Sequence, residues 1–217
     1  MNKHYRSVTL LAIVLIISLI AGTLQAAAAA PQTLQYGSKG SDVMDLQYRL
    51  QSIGYFNAAV TDNFGAVTRN ALLNFQRDYG LQADGIAGTN TWKMLKKVSV
   101  NEPEMRMLTR VIYSEARGEP YIGQVAVGAV VMNRLKSSQF PDTIAGIIFE
   151  PWAFTAINDG QYWLEPDETA LMAAKEAVKG WDPTGSALYY YNPDTATSKW
   201  VWSLKVIKKI GQHVFAK

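Results

Sequence analysis

A single carboxylate stands on an apolar stripe. Met105, Leu108, Val111 and Ile112 recur at helical spacing, and Glu115 falls seven residues after Leu108, four after Val111 and three after Ile112. A helix through this segment puts Glu115 on the face that should be buried, while Arg106, Thr109 and Arg110 point elsewhere. A carboxyl group drawn into an apolar wall has its charged form disfavoured, which brings it toward the range a general acid needs. Breaking a glycosidic bond requires a proton on the leaving oxygen, and such an acid can supply it. Two bland alternatives stay open: an ion pair with Arg117 or Arg134, or a side chain turned to solvent near the helix end. A last-turn carboxylate opposes the helix dipole, so it fits poorly as a stabiliser.

Other reactive groups are sparse. Glu119 precedes Pro120, which biases it away from helical angles, and it reads as a solvated turn residue rather than a second cleft carboxylate. Cysteine is absent, which excludes a disulfide framework, thiolate metal sites and a cysteine nucleophile. His4 lies near the start and His213 stands apart near the end, where it reads as a strand surface residue. No metal site, cofactor or Ser-His-Asp triad is therefore expected. The formal charge of +3 does not suggest a nucleic-acid binder. Lys3 and Arg6 account for two of the 21 basic side chains and the first thirty residues hold no acid, leaving 19 basic against 18 acidic. Lys205, Lys208, Lys209 and Lys217 read as a solvated face.

The elements around Glu115 announce themselves. Asn101 with Glu104 forms the pattern of a capping box, and Pro103 sits in the first turn, where its missing N–H costs little. Val125 to Met132 is apolar on nearly every side, with Gly128 and Ala129 allowing close approach, as in a central buried helix. Pro166 to Lys179 reads as a further helix, with Asp167 and Glu168 in its first turn and Gly180 as its stop. Leu188 to Tyr191 and Lys199 to Trp202 are expected as strands joined by a turn through Asn192 to Ser198. Tyr189, Tyr190, Tyr191, Trp200 and Trp202 could face sugar rings or simply pack. Asn192, Thr195 and Thr197, on the turn, are candidate substrate contacts. Tyr162 and Trp163 beside Asp159 divide evenly between contact and core.

Residues 35–96 predict three amphipathic helices. Ser41 is the expected cap of the first, which carries Val43, Leu46, Leu50 and Ile53 inward and ends at Gly54. The second runs from Ala66 to Tyr79, and the third starts near Thr89 with Trp92 and Leu95. Two joints echo each other: Asp62-Asn63-Phe64-Gly65 precedes Thr68, and Asp84-Gly85-Ile86-Ala87-Gly88 precedes Thr91. Ahead of this segment, a basic start, an apolar run from Val8 to Gly22 and the alanines 26–30 have the layout of a secretory signal peptide, with an uncleaved anchor as the competing reading.

Gly40-Ser41-Asp42-Val43, Leu46-Gln47, Gly54-Tyr55, Phe64-Gly65, Phe75-Gln76, Asp84-Gly85-Ile86 and Thr91-Trp92 make the first segment resemble a three-helix peptidoglycan-binding module. Ser114-Glu115-Ala116-Arg117-Gly118-Glu119-Pro120, Gly123-Gln124-Val125, Asn133-Arg134, Asp159-Gly160-Gln161, Gly180-Trp181-Asp182-Pro183-Thr184-Gly185 and the run Ala187 to Pro193 resemble the spore cortex-lytic hydrolase family of the SleB/CwlJ type. The resemblance implies that Glu115 is the catalytic acid. It also implies a mostly α chain of two domains: a three-helix bundle, and an α+β lysozyme- or transglycosylase-like catalytic domain with a small C-terminal β element. The expected boundaries are 1–30 for the signal peptide, 31–97 for the binding domain and 98–217 for the catalytic domain.

Two routes of glycan cleavage are compatible with these residues. Hydrolysis needs a second carboxylate, with Asp159 the best candidate and Glu119 and Asp142 next. A lytic transglycosylase needs one acid/base, and the resemblance favours it. Asp159, Gln161, Tyr190, Asn192, Thr195 and Thr197 are the expected substrate-binding residues. A non-catalytic wall-binding protein is the rival class, and an amidase or peptidase is a weaker third. The leader layout, cleaved or retained, implies export. The resemblance further implies action on the spore cortex or at the inner spore membrane surface during germination, a substrate containing muramic lactam, and an accessory spore protein as partner.

Overall fold

The computed structural model describes residues 32–217; the expected leader lies outside them. No helix among the described residues is long and apolar enough to cross a membrane.

The N-terminal part is a bundle of α1 (Ser41–Ser52), α2 (Ala66–Asp78) and α3 (Thr89–Val98). Val43, Leu46, Leu50, Leu72, Phe75, Trp92 and Leu95 form its core. Ser41 starts α1 but does not cap it. Gly40 is the cap residue, at φ 114°, and its N–H donates to the Asp62 carbonyl at 2.8 Å, so the helix entry is tied to the following loop by a glycine-specific conformation. The echo between the two joints has a physical cause. A buried glutamine from the preceding helix threads each loop: Gln47 Nε2 donates to Asn63 O and Thr68 Oγ1, both at 2.9 Å, and Gln76 Nε2 donates to Ile86 O at 3.0 Å and Thr91 Oγ1 at 3.2 Å. Each glutamine carbonyl in turn accepts a loop N–H, from Thr61 at 2.7 Å and from Gly85 at 2.9 Å. Both amides are thereby satisfied in the interior, as burial requires.

The second part is built on α4 (Glu102–Ala116), α5 (Tyr121–Lys136) and α8 (Glu168–Val178), with the short α6 (Ile144–Ile148) and α7 (Thr155–Asn158) between α5 and α8. Asn101 and Glu104 form both halves of the capping box. Asp167 proves to be the cap of α8, accepting from Ala170 N at 2.8 Å. The α5 helix is buried on nearly all sides, and Gly128 faces both Ile112 of α4 and Ala177 of α8.

Three antiparallel strands cover the remaining face of α5: β1 (Tyr189–Tyr191), β2 (Val206–Ile210) and β3 (His213–Ala216), in spatial order β1-β3-β2. Phe215, Ile210 and Ala187 pack on Ala126 and Val130. The sequence expectation of a strand over Lys199 to Trp202 is corrected: Lys199–Ser203 is a 3₁₀ turn. Trp200 and Trp202 pack edge to face with Tyr189 and Tyr191, with centroids 5.1 and 5.4 Å apart, so this segment meets β1 through side chains and leaves the backbone ladder to β3. The true hairpin lies later, turned by Gly211 at φ 57°. Its outer strand was masked in sequence by exposed lysines, which suit a sheet edge.

The two parts meet at a seam centred on Arg49. Arg49 of α1, with a side chain 4% exposed, pairs with Glu104 at 2.9 Å and Asp45 at 3.2 Å and donates to Ser99 O at 3.3 Å. Tyr48 and Ile53 pack against the core of the second part.

Candidate active site

Met105, Leu108, Val111 and Ile112 are buried, and the stripe delivers Glu115 to the last turn of α4. Its surroundings differ from the expected hydrocarbon wall. Glu115 is half-buried, and its carboxylate is held by three donors. Ala156 N–H and Thr155 hydroxyl, from the start of α7, donate to Oε1 at 2.9 and 3.3 Å. Tyr190, at the middle of β1, donates its hydroxyl to Oε2 at 2.9 Å. Both oxygens are therefore fixed in direction by separate elements. Thr109, expected to point away from the core, is buried and bonds back to Met105 O at 2.7 Å.

Neither expected ion-pair partner reaches Glu115. Arg117 donates to Gln161 Oε1 at 2.6 Å and lies over Tyr113. Arg134 donates from Nε to Leu188 O at 2.8 Å and stacks on Phe140, Phe154 and Tyr189. Burial pulls the Arg134 guanidinium below its ordinary value, opposed by the fields of Tyr190, Tyr189, Glu150 and Glu115. It still carries its charge, and by gripping Leu188 it fixes where β1 begins. The Tyr190 phenol is pushed well above its ordinary range by burial, then by the Glu115 charge and hydrogen bond, with Arg134 opposing. It therefore remains a donor to Glu115.

The other site candidates separate into groups. Asp159 is exposed and accepts from Gln161 N at 3.0 Å and Gln161 Nε2 at 2.6 Å, so a chain runs Asp159–Gln161–Arg117 from α7 back to the end of α4. Asn192 accepts from Asp194 N at 2.9 Å and shapes the loop leaving β1, on which Thr195 and Thr197 are exposed. None of these five makes a hydrogen bond to Glu115. Asp142 is exposed. Tyr162 is core, whereas Trp163 is exposed over a cleft of about 360 Å³ beside Arg106 and Arg110. A second cleft, of about 370 Å³, lies in the bundle between Gln82, Asp84, Thr89 and Asn90.

Two sequence expectations fail here. Glu119 is not solvated: it is 8% exposed and turned onto the β2–β3 hairpin, where it accepts from Gln212 N at 3.1 Å. His213 is not a surface residue: it sits between Glu119 and Tyr190. Both depend on a hairpin register that no local pattern announces. Sequence reading also missed the α7 donors and Trp152, which is 87% exposed at a left-handed φ of 67°, three residues before Thr155.

Residues 118–216 match the cell wall hydrolase family profile, and residues 39–95 match the peptidoglycan-binding domain profile. The spore cortex-lytic enzyme of Bacillus cereus is 44% identical over 224 residues, covering 86% of each chain. That of Bacillus subtilis is 34% identical, covering 86% of this chain and 90% of the relative. Among solved structures, the catalytic domain of the Bacillus cereus SleB protein is 56% identical with a TM-score of 0.52, covering 55% of this chain and 93% of that one. The catalytic domain of the germination-specific lytic transglycosylase SleB from Bacillus anthracis is 58% identical, also at 0.52, covering 54% and 97%. With the bundle, the helical part and the held carboxylate all in place, the chain belongs to the spore cortex-lytic enzyme family.

Proposed function

We propose that this peptidoglycan-cleaving enzyme is a lytic transglycosylase acting on spore cortex, with Glu115 as its one acid/base. The observation that carries the reading is the single carboxylate whose two oxygens are oriented by three donors from α7 and β1. Such fixed orientation is what proton transfer to a bound sugar requires.

Protonated Glu115 gives its proton to the bridging oxygen as the bond to the muramoyl anomeric carbon breaks, and the leaving sugar departs as an alcohol. The carboxylate then takes the proton of the muramoyl 6-hydroxyl while that oxygen closes on the anomeric carbon. The product carries a 1,6-anhydro end, no water is consumed, and Glu115 regains its proton. Hydrolysis through a second carboxylate finds less support. Asp159 is exposed and occupied by Gln161, and Glu119 is spent on the hairpin.

The bundle is the wall-binding part, and the enzyme works outside the cytoplasm. Cortex as its location, a muramic-lactam substrate and an accessory spore protein rest on the family resemblance. Purified peptidoglycan treated with enzyme and analysed by mass should yield anhydro ends. Reducing ends would indicate a hydrolase, and intact sacculi a binder. Glu115→Gln should abolish release while wall binding persists; retained cleavage would overturn the role of Glu115.

A further inference from the structure

Behind Tyr190 lies a second polar layer that the reaction as described does not use. Glu119, buried after the end of α4, accepts from Gln212 N at 3.1 Å through Oε2 and 3.4 Å through Oε1. A side chain at Gly211 would overlap that carboxylate, so the hairpin turn is shaped around it. His213 follows, with Nδ1 3.5 Å from Glu119 Oε1. That nitrogen is buried and has no hydrogen-bond partner. The imidazole and the Tyr190 ring meet edge to face, with centroids 5.2 Å apart at 79°, and the imidazole also flanks Phe215. Tyr190 in turn holds Glu115.

We propose that His213 is a positioning residue for Glu115, acting through the Tyr190 ring, and that Glu119 sets the place and proton of the imidazole instead of taking part in bond cleavage. The proposal rests on Glu115 being the acid/base. A bare Nδ1 lone pair facing a carboxylate repels it, so the neutral ring carries its proton on Nδ1 toward Glu119. The groups that face the ring are Glu119 from the turn after α4, Glu115 from α4 itself and Tyr190 from β1, with Arg134 of α5 acting on Tyr190 from the far side.

Burial lowers the basicity of His213, and Glu119 and Glu115 only partly oppose it. The ring is therefore neutral near pH 7 and charges at a pH below the ordinary histidine range. A second proton, on Nε2, makes the ring a cation that draws Glu119 toward Nδ1–H, loosens the Glu119 hold on Gln212 N and shifts the ring against which Tyr190 packs. Catalysis then loses the orientation of Oε2, and the acid limb of the rate profile contains a titration that belongs to His213.

The experiment measures kcat and KM for glycan-strand cleavage from pH 4.5 to 8, with melting curves, in the full chain and its His213→Phe, Tyr190→Phe and Glu119→Gln variants. His213→Phe keeps an aromatic ring without a titrating nitrogen. Its acid limb should lose one proton dependence, with kcat lowered about threefold to tenfold and KM within about twofold. Combining it with Tyr190→Phe should add little, and Glu119→Gln should move the same limb. A His213→Phe profile superimposable on the parent, or losses that add fully with Tyr190→Phe, overturns the proposal. If Glu115→Gln remains active, the acid/base reading fails instead, so the two failures are told apart.

Discussion

Replacing Gly128 by alanine sets two effects of known size against each other. Alanine in a helix interior is favoured over glycine by about 1 kcal/mol. Its Cβ, however, would lie 2.8 Å from Ile112 Cδ1 and 2.9 Å from Ala177 Cβ, well inside the ~3.5–4.0 Å of an ordinary carbon contact. The isoleucine tip can swing aside. The Ala177 methyl cannot move without its helix, so α5 and α8 must separate. Overpacking of this kind costs about 1–3 kcal/mol, which leaves a net loss of about 1 kcal/mol and a melting temperature about 2–4 °C lower for a chain of this size. Ile112 stands three residues before Glu115 on the same helix, so whatever strain its tip does not absorb shifts α4 and with it the carboxylate, and cleavage should fall by more than the lost folded fraction. Circular-dichroism melts and muropeptide release measure the two effects. Adding Ala177→Gly should restore most of the melting temperature. A Gly128→Ala variant that melts above the parent would refute the close approach of the three helices.

Asp182 is held below the usual carboxylate range: burial alone would raise it, but Thr184, Asn133 and the Thr184 and Ser186 N–H groups together outweigh burial. A depressed folded value means stability that is present above the unfolded value near 4 and lost as pH falls through the folded one. The parent should therefore lose urea resistance more steeply below pH 4 than Asp182→Asn; parallel acid limbs would refute this. Arg49→Met leaves Glu104 and Asp45, both partly exposed, without their cation and should cost about 3 kcal/mol, the low end for a broken buried pair, splitting one urea transition into two; a single unshifted transition would contradict a seam held by this side chain.

Sequence legibility tracked how local the cause was. The Asn101–Glu104 box, the Gly128 crossing and the burial of Leu108 and Ile112 follow from spacing along one helix, and all are present. Glu115 could be placed on its face, but not given partners, because Ala156 and Tyr190 reach it from elements 41 and 75 residues away. The lost strand at Lys199 to Trp202 shows the same limit from the other side. Its alternation of lysine, tryptophan and valine suits a strand, yet β3 already has β1 and β2 on its two edges. Glu119 and His213 were misread together, since each faces the other across a hairpin far along the chain.

Arg49 grips the glutamate of the capping box that opens the helix leading to Glu115. A holdfast soldered to its blade in this way behaves unlike one on a tether. Under the proposed function, the bond offered for cleavage lies at a constant offset from the point of grip. Fragments cut from long glycan strands should then cluster about one length, set by the joint at Arg49 and not by chance encounter.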